Sequence, residues 1–320
     1  MASITVKLAA IFIALAAIFY SPILRNLAVR QAKVPIFASM STAATAEATK
    51  AVSSKLKLQL RPNTERGNAD HGWLKTFHTF SFADYWDPKF QQFGSLRVIN
   101  EDRVEKSKGF GTHSHREMEI FSYIVGGELE HKDSMGNLEI LKRGDVQMTS
   151  AGTGISHSEY NRNNKEQVHF LQIWVEPHTS RLTPKYFNRH FTDAEKTDKL
   201  VTIVAPVGQD GVTEEREGSG PTPIHSHVSL SASILTPGKS VTYTFPTAEK
   251  SLEGRKGYVH LIQTTGYNTG AAKGNKIRLN EGMELAEGDG SFVYGAAGEE
   301  LKIENVGSTN AELLLFDIQG

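Results

Sequence analysis

Gly111-Thr-His113-Ser-His115-Arg-Glu-Met-Glu119, and further along Gly144-Asp145 followed by Ala151-Gly-Thr-Gly-Ile-Ser-His157-Ser-Glu159, carry most of what this chain discloses. Each segment sets two metal-capable side chains two residues apart. Along a β-strand the side chains alternate, so residues i and i+2 share a face. His113 and His115 therefore project together, and so do His157 and Glu159. Two such strands facing one another can hold a single ion with three imidazoles and one carboxylate. The Gly-rich setting of both segments suits tight turns between strands.

The remainder of the chain has the same character. Runs such as Glu119–Val125, Val168–Val175, Val241–Phe245, Tyr258–Ile262 and Glu312–Ile318 are short, β-branched or alternating, and Gly and Asp turns separate them. No long segment shows a 3.6-residue apolar period. The expectation is an all-β protein of sandwich or barrel domains. With 320 residues the chain can build two cores. A weak echo supports two copies of one antiparallel unit: Ile120–Gly127 resembles Val259–Gly266, Gly144-Asp145 resembles Gly288-Asp289, and Phe170–Val175 resembles Leu313–Ile318. The expected division is 56–185 and 186–320.

Composition removes several functions. A net charge of −1 provides no field for phosphate contacts, so direct nucleic-acid binding is not expected. The absence of cysteine excludes disulfides, zinc fingers, iron–sulfur clusters and thiol catalysis. There is no nucleophile elbow, P-loop or dinucleotide fingerprint.

Residues 1–55 differ from the rest. Leu8 to Tyr20 is uninterrupted apolar sequence, extended by Pro22, Ile23 and Leu24, and Arg25, Arg30 and Lys33 follow it. The run is shorter than the ~20 residues of a comfortable membrane span. Its charge bias favours an anchor through residues 8–24 or an organelle presequence over a cleaved secretory signal. If translation begins instead at Met40, a cytoplasmic or nuclear protein is expected.

Four segments carry a resemblance to a known family: His78-Thr-Phe-Ser-Phe-Ala-Asp-Tyr-Trp-Asp-Pro88, Phe93-Gly-Ser-Leu-Arg-Val-Ile-Asn-Glu-Asp-Arg-Val104, Thr112–Glu119 and Gly144–Glu159. The chain resembles the pirin family of the cupin superfamily, densely over residues 60–190 and more thinly to the C-terminus. The resemblance implies two jelly-roll (cupin) β-barrels in tandem, and it sets His113, His115, His157 and Glu159 on the family's metal-ligand positions. Glu119 fills a slot that many other cupins use as a ligand, but pirins take their carboxylate from the later motif, so Glu119 is expected outside the ligand set. Three imidazoles and a carboxylate suit Fe²⁺, Mn²⁺, Co²⁺, Ni²⁺, Cu²⁺ or Zn²⁺, and the lack of thiolate argues against closed structural zinc. The resemblance favours Fe²⁺.

The pair His225-Ser-His227 imitates the first motif, yet it has no partner pair. The stretch after Pro237-Gly238 reads Val241-Thr-Tyr-Thr-Phe-Pro246, and the Gly288–Gly295 counterpart of the second motif contains no histidine. The C-terminal domain is therefore expected to be metal-free. His71, His78, His131, His169, His178, His190 and His260 are taken as structural, with His78 and Arg116 as candidates for orienting the ligands. Phe121 and Met148 are candidates for the pocket wall.

Two functions follow from the resemblance. One is a dioxygenase that opens flavonols such as quercetin with dioxygen and releases carbon monoxide, Glu159 serving as ligand and as base for the substrate hydroxyl. The other is an iron-binding, redox-responsive regulator acting as a cofactor of a transcription factor.

Overall fold

Period-two alternation yields strands throughout, and the computed structural model describes residues 56–247, 254–280 and 282–319. The expectations placed on residues 1–55 lie outside the described residues. Among these there are 22 strands, and the one α-helix is the single turn Asp193–Lys196. It forms from the polar run at 192–199 through a capping box: Thr192 Oγ1 accepts from the Glu195 amide at 3.3 Å, and Glu195 Oε2 accepts from the Thr192 amide at 2.7 Å.

The strands assemble into four sheets, a seven-stranded and a four-stranded sheet in each half. In the first half the large sheet runs Lys185–His190, Asp145–Ser150, Glu119–Gly126, Val168–Val175, Leu96–Val104, Leu74–His78, Gly67–Asp70. The small sheet runs Gly109–His115, Ile155–Tyr160, Glu128–Asp133, Leu138–Lys142. The second half repeats this order with Lys57–Arg61, Gly290–Tyr294, Arg255–Leu261, Ala311–Gln319, Val228–Leu235, Val201–Pro206 and Thr222–Ile224. Its small sheet is Ser240–Thr244, Glu300–Asn305, Lys273–Leu279 and Met283–Glu287. The echo in the sequence therefore marks equivalent strands of two jelly-roll halves. The fold is all-β, as the strand pattern predicts.

Sheet membership shifts the expected boundaries at both ends. Lys57–Arg61, the first described strand, pairs antiparallel with Gly290–Tyr294 in the second half. Lys185–His190 pairs with Asp145–Ser150 in the first. The described residues cluster as one compact unit.

The two large sheets share one core. Phe121, Met148 and Ile173 from the first half are buried in one cluster with Tyr258, Phe292 and Phe316 from the second. Burying each such side chain stabilises the fold by about 1.5–3 kcal/mol. Phe121 and Met148 thus face the other half of the molecule, which corrects their expected place in the pocket wall. Glu101 ties the halves together from the same face. It accepts from His260 Nε2 at 3.0 Å, from the Gln263 amide at 2.8 Å and from Arg66 Nη1 at 3.3 Å.

The opposite face of the first large sheet is different. Gln147, Ser122, Gln172, Asn100 and His78 stand opposite one another on five adjacent strands, forming a buried polar stripe. In the second half the corresponding interior is apolar, filled by Leu261, Ile277, Leu285, Leu301, Ile303 and Leu313. The strand equivalent to Ile155–Tyr160 is Glu300–Asn305, so the counterpart of the second motif lies beyond 288–295. Its buried residues Leu301, Ile303 and Asn305 alternate with more exposed ones.

Candidate metal centre

The small sheet of the first half covers the polar stripe together with an apolar cluster that includes Ile124, Leu129, Leu141 and Phe170. Gly109–His115 and Ile155–Tyr160 are antiparallel neighbours with His113 opposite His157 and His115 opposite Ile155. Beyond His157 the register slips, so that Glu159 stands opposite Phe110. Two residues, Gly111 and Thr112, there oppose the single Ser158, the pattern of a β-bulge.

The register brings the three sequence-predicted histidines together. Ring centroids lie 4.8 Å apart for His113 and His115, 4.6 Å for His113 and His157, and 4.8 Å for His115 and His157. His113 Nε2 and His157 Nε2 are 3.1 Å apart. His113 Nδ1 lies 2.8 Å from the Gly111 carbonyl, a contact that requires the proton on Nδ1 and leaves Nε2 with its lone pair. Burial, reinforced by the neighbouring imidazoles, lowers His115 to about 3 and His157 to about 2. Both rings are therefore neutral near pH 7, the state in which imidazole can bind a metal.

Glu159 is buried on the same strand. Its Oε2 accepts from Gln172 Nε2 at 3.0 Å, and Gln172 Oε1 accepts from Trp174 Nε1 at 3.2 Å. Glu159 does not join His113 and His115 in one tight group. It falls instead with His157 and His131, whose donor atoms lie within 4.8 Å of one another. His131 is the residue that the sequence reading missed. The signal was present: His131 and Asp133 form a third pair of metal-capable residues two apart, on the strand Glu128–Asp133 that flanks Ile155–Tyr160.

One wall of the site is aromatic. Trp174 stands edge-on to His115 at 4.9 Å, Phe82 stands edge-on to Trp174 at 5.4 Å, and His78 lies 5.4 Å from Phe82. His78 is held by Asn100 Oδ1 at 2.8 Å, and burial lowers it to about 4. Arg116 is exposed beyond the end of its strand.

The remaining candidates lie elsewhere. Glu119 binds across the halves: His225 Nδ1 lies 3.0 Å from Glu119 Oε1, and the His225 amide donates to Oε2 at 2.6 Å. His227 packs against His178, ring centroids 5.1 Å apart. The tempting His225-Ser-His227 pair is thus split between two contacts that hold the halves together.

The donor set fits a divalent ion. Imidazole nitrogens of His113 and His157 converge to 3.1 Å in a partly buried place, close enough for one cation to be shared between them. Bound there, the ion would be held by His113, His115 and His157, with Glu159 the nearest carboxylate on the same strand as His157.

Comparisons with known proteins agree with this architecture. A family model described as Pirin matches residues 59–175. The chain is 38% identical over 261 residues to a quercetin 2,3-dioxygenase of Escherichia coli K12, covering 82% of this chain and 98% of that protein. It is 33% identical over 257 residues to a pirin-like protein of Caulobacter vibrioides, covering 80% of this chain and 97% of that one. Among solved structures, the bacterial pirin YhhW of Escherichia coli in complex with nickel(II) is 34% identical with a TM-score of 0.67, covering 82% of this chain and 99% of YhhW. The chain belongs to the pirin family.

Proposed function

We propose that the protein is a metal-dependent dioxygenase that opens the heterocycle of flavonols such as quercetin, consuming dioxygen and releasing carbon monoxide. His113, His115, His157 and Glu159 are the metal ligands in this reading, and Fe²⁺ is the preferred ion. The observation that carries it is the convergence of three histidines, His157 buried and His113 and His115 partly so, beside an aromatic wall. The relatives named quercetin 2,3-dioxygenase support the same reading, and YhhW, solved in complex with nickel(II), supports a divalent ion.

When bound, the ion supplies Lewis acidity and a template for a hydroxyl and carbonyl pair. The protein's own groups do the rest. Trp174 and Phe82 offer aromatic edges and faces to a planar substrate. Glu159 takes the proton of the substrate hydroxyl, and Gln172, itself held by Trp174, fixes the orientation of that carboxylate. The polar stripe of the large sheet keeps the interior hydrogen-bonding rather than apolar.

The test is oxygen uptake, carbon monoxide release and flavonol bleaching by protein loaded with Fe²⁺, Mn²⁺, Co²⁺ or Ni²⁺. His113→Ala is expected to bind no ion and to lose turnover. A fully loaded protein that turns over no flavonol sinks the substrate assignment, and an Fe²⁺/Fe³⁺-dependent change in affinity for a transcription factor would then favour the regulatory alternative.

A further inference from the structure

Four rings stand in a row that begins at the metal centre. His115 meets Trp174 edge-on at 4.9 Å, Trp174 meets Phe82 at 5.4 Å, and Phe82 meets His78 at 5.4 Å. The row is preformed. Phe82 sits in a tight turn where its amide donates to the Tyr85 carbonyl and the Tyr85 amide donates to the Phe82 carbonyl, both at 3.0 Å. Within that turn Ala83 holds φ at +49°, a strained conformation for a residue with a Cβ. His115, Trp174 and Phe82 are partly exposed, so a planar ligand can lie along them. His78 closes the far end, 6% exposed. Asn100 Oδ1, 2.8 Å from Nδ1, can only accept, so the proton sits on Nδ1 and Nε2 keeps its lone pair. Burial keeps the ring neutral near pH 7. His131 has both nitrogens sealed in the interior without a hydrogen-bond partner; His78 Nε2 is not sealed, and no group among the described residues donates to it. An acceptor in so little contact with solvent calls for a donor.

We propose that His78 is a specificity-determining residue: its Nε2 accepts a hydrogen bond from a phenolic hydroxyl at the end of the substrate remote from the metal, while Trp174 and Phe82 flank the rings between. The assignment rests on the reading that a flavonol binds at His113, His115 and His157. It narrows the substrate class to planar phenols with a hydroxyl on a ring distant from the hydroxyl and carbonyl pair that faces the ion. A ligand without that hydroxyl strips Nε2 of water and returns no donor, which is how a polar site rejects an apolar analogue.

Equilibrium binding to the Ni²⁺-loaded whole chain without dioxygen, read from the flavonol absorption band, tests this without reference to turnover. The probes are quercetin and 3-hydroxyflavone, which share the hydroxyl and carbonyl pair but differ in that only quercetin carries further hydroxyls. His78→Phe should bind quercetin about 3- to 10-fold more weakly, the worth of one neutral hydrogen bond, and 3-hydroxyflavone as well as wild type does. His78→Gln keeps an acceptor oxygen and should recover most of the quercetin affinity. Thermal melts check that the Phe variant folds, and His78→Asn, too short to reach the ligand, replaces it if it does not. Quercetin affinity unchanged in His78→Phe overturns the proposal, and so does a Gln variant no better than Phe. Equal weakening for both probes overturns it too, since a merely structural role would act on both. A loaded wild type that binds neither probe overturns the flavonol reading itself, an outcome distinct from equal binding by all variants.

Discussion

At the scale of single residues, two acidic side chains that look alike in the sequence have separate tasks. Glu119 and Glu159 both follow a histidine pair or belong to one, yet Glu119 closes the contact with His225 while Glu159 enters the polar interior. Glu119→Gln is therefore expected to leave metal affinity unchanged and to lower stability. The pH dependence follows from His225, whose hydrogen bond to Glu119 raises it above its ordinary value of 6.5. A raised folded value stabilises fully below the unfolded value and fades as pH rises through the folded one. The melting advantage of wild type over Glu119→Gln should thus be greatest near pH 6 and shrink towards pH 9, with a size on the order of 1 kcal/mol given the solvent around the imidazole. A constant difference over that range would show that His225 titration plays no part. Trp174 gives a second residue-scale expectation. Under the proposed activity, Trp174→Ala raises KM for a flavonol roughly five- to tenfold, the worth of one aromatic contact, with a smaller effect on kcat. Steady-state kinetics on the loaded enzyme measure it.

At the scale of elements, the site depends on how closely two strands approach. Gly109 packs its backbone against Ile155–Tyr160 so tightly that a Cβ there would lie 2.2 Å from the Glu159 carbonyl and 2.5 Å from Tyr160 Cα. Both are backbone atoms and cannot swing aside. Gly109→Ala must therefore push the strand of His113 and His115 away from the strand of His157 and Glu159. The expected outcome is a loss of about 1–3 kcal/mol in stability, as for other overpacked sites, together with weaker metal binding. Calorimetry and a Co²⁺ titration read the two effects separately, and unchanged metal affinity would show that the strands have room. The bulge at Gly111-Thr112 belongs to the same scale. It offsets Glu159 from the histidine pair opposite, which is why Glu159 groups with His157 and His131.

At the scale of the whole molecule, the two halves are not beads on a string. Their large sheets share one core, Lys57–Arg61 serves the distant half, and Glu101 is bonded from both halves. Unfolding is therefore expected to be a single calorimetric transition. Phe316→Ala, at a fully buried position in the shared core, should shift that one transition down by about 3–5 kcal/mol without splitting it. Two resolved transitions would show that the halves fold independently. The shared core also explains the asymmetry of the halves. Each large sheet spends its apolar face on the other, so only the face turned to the small sheet is free to be polar, and only the first half uses it so.

The sequence by itself determined the all-β class, the two-copy plan and the histidines at 113, 115 and 157, because strand periodicity is local and residues two apart must share a face. It could not say which face turns inward, and so it misplaced Phe121 and Met148. It also left His131 among the structural histidines and could not see that Glu119 and His225 meet. These last facts depend on which strands become neighbours and on how one sheet lies against another. Such contacts join residues more than a hundred positions apart in the case of Glu119 and His225, and no local pattern encodes them. The tertiary structure alone decided what surrounds the single site that the paired motifs form: a wall of Trp174 and Phe82 and a fourth imidazole at its border.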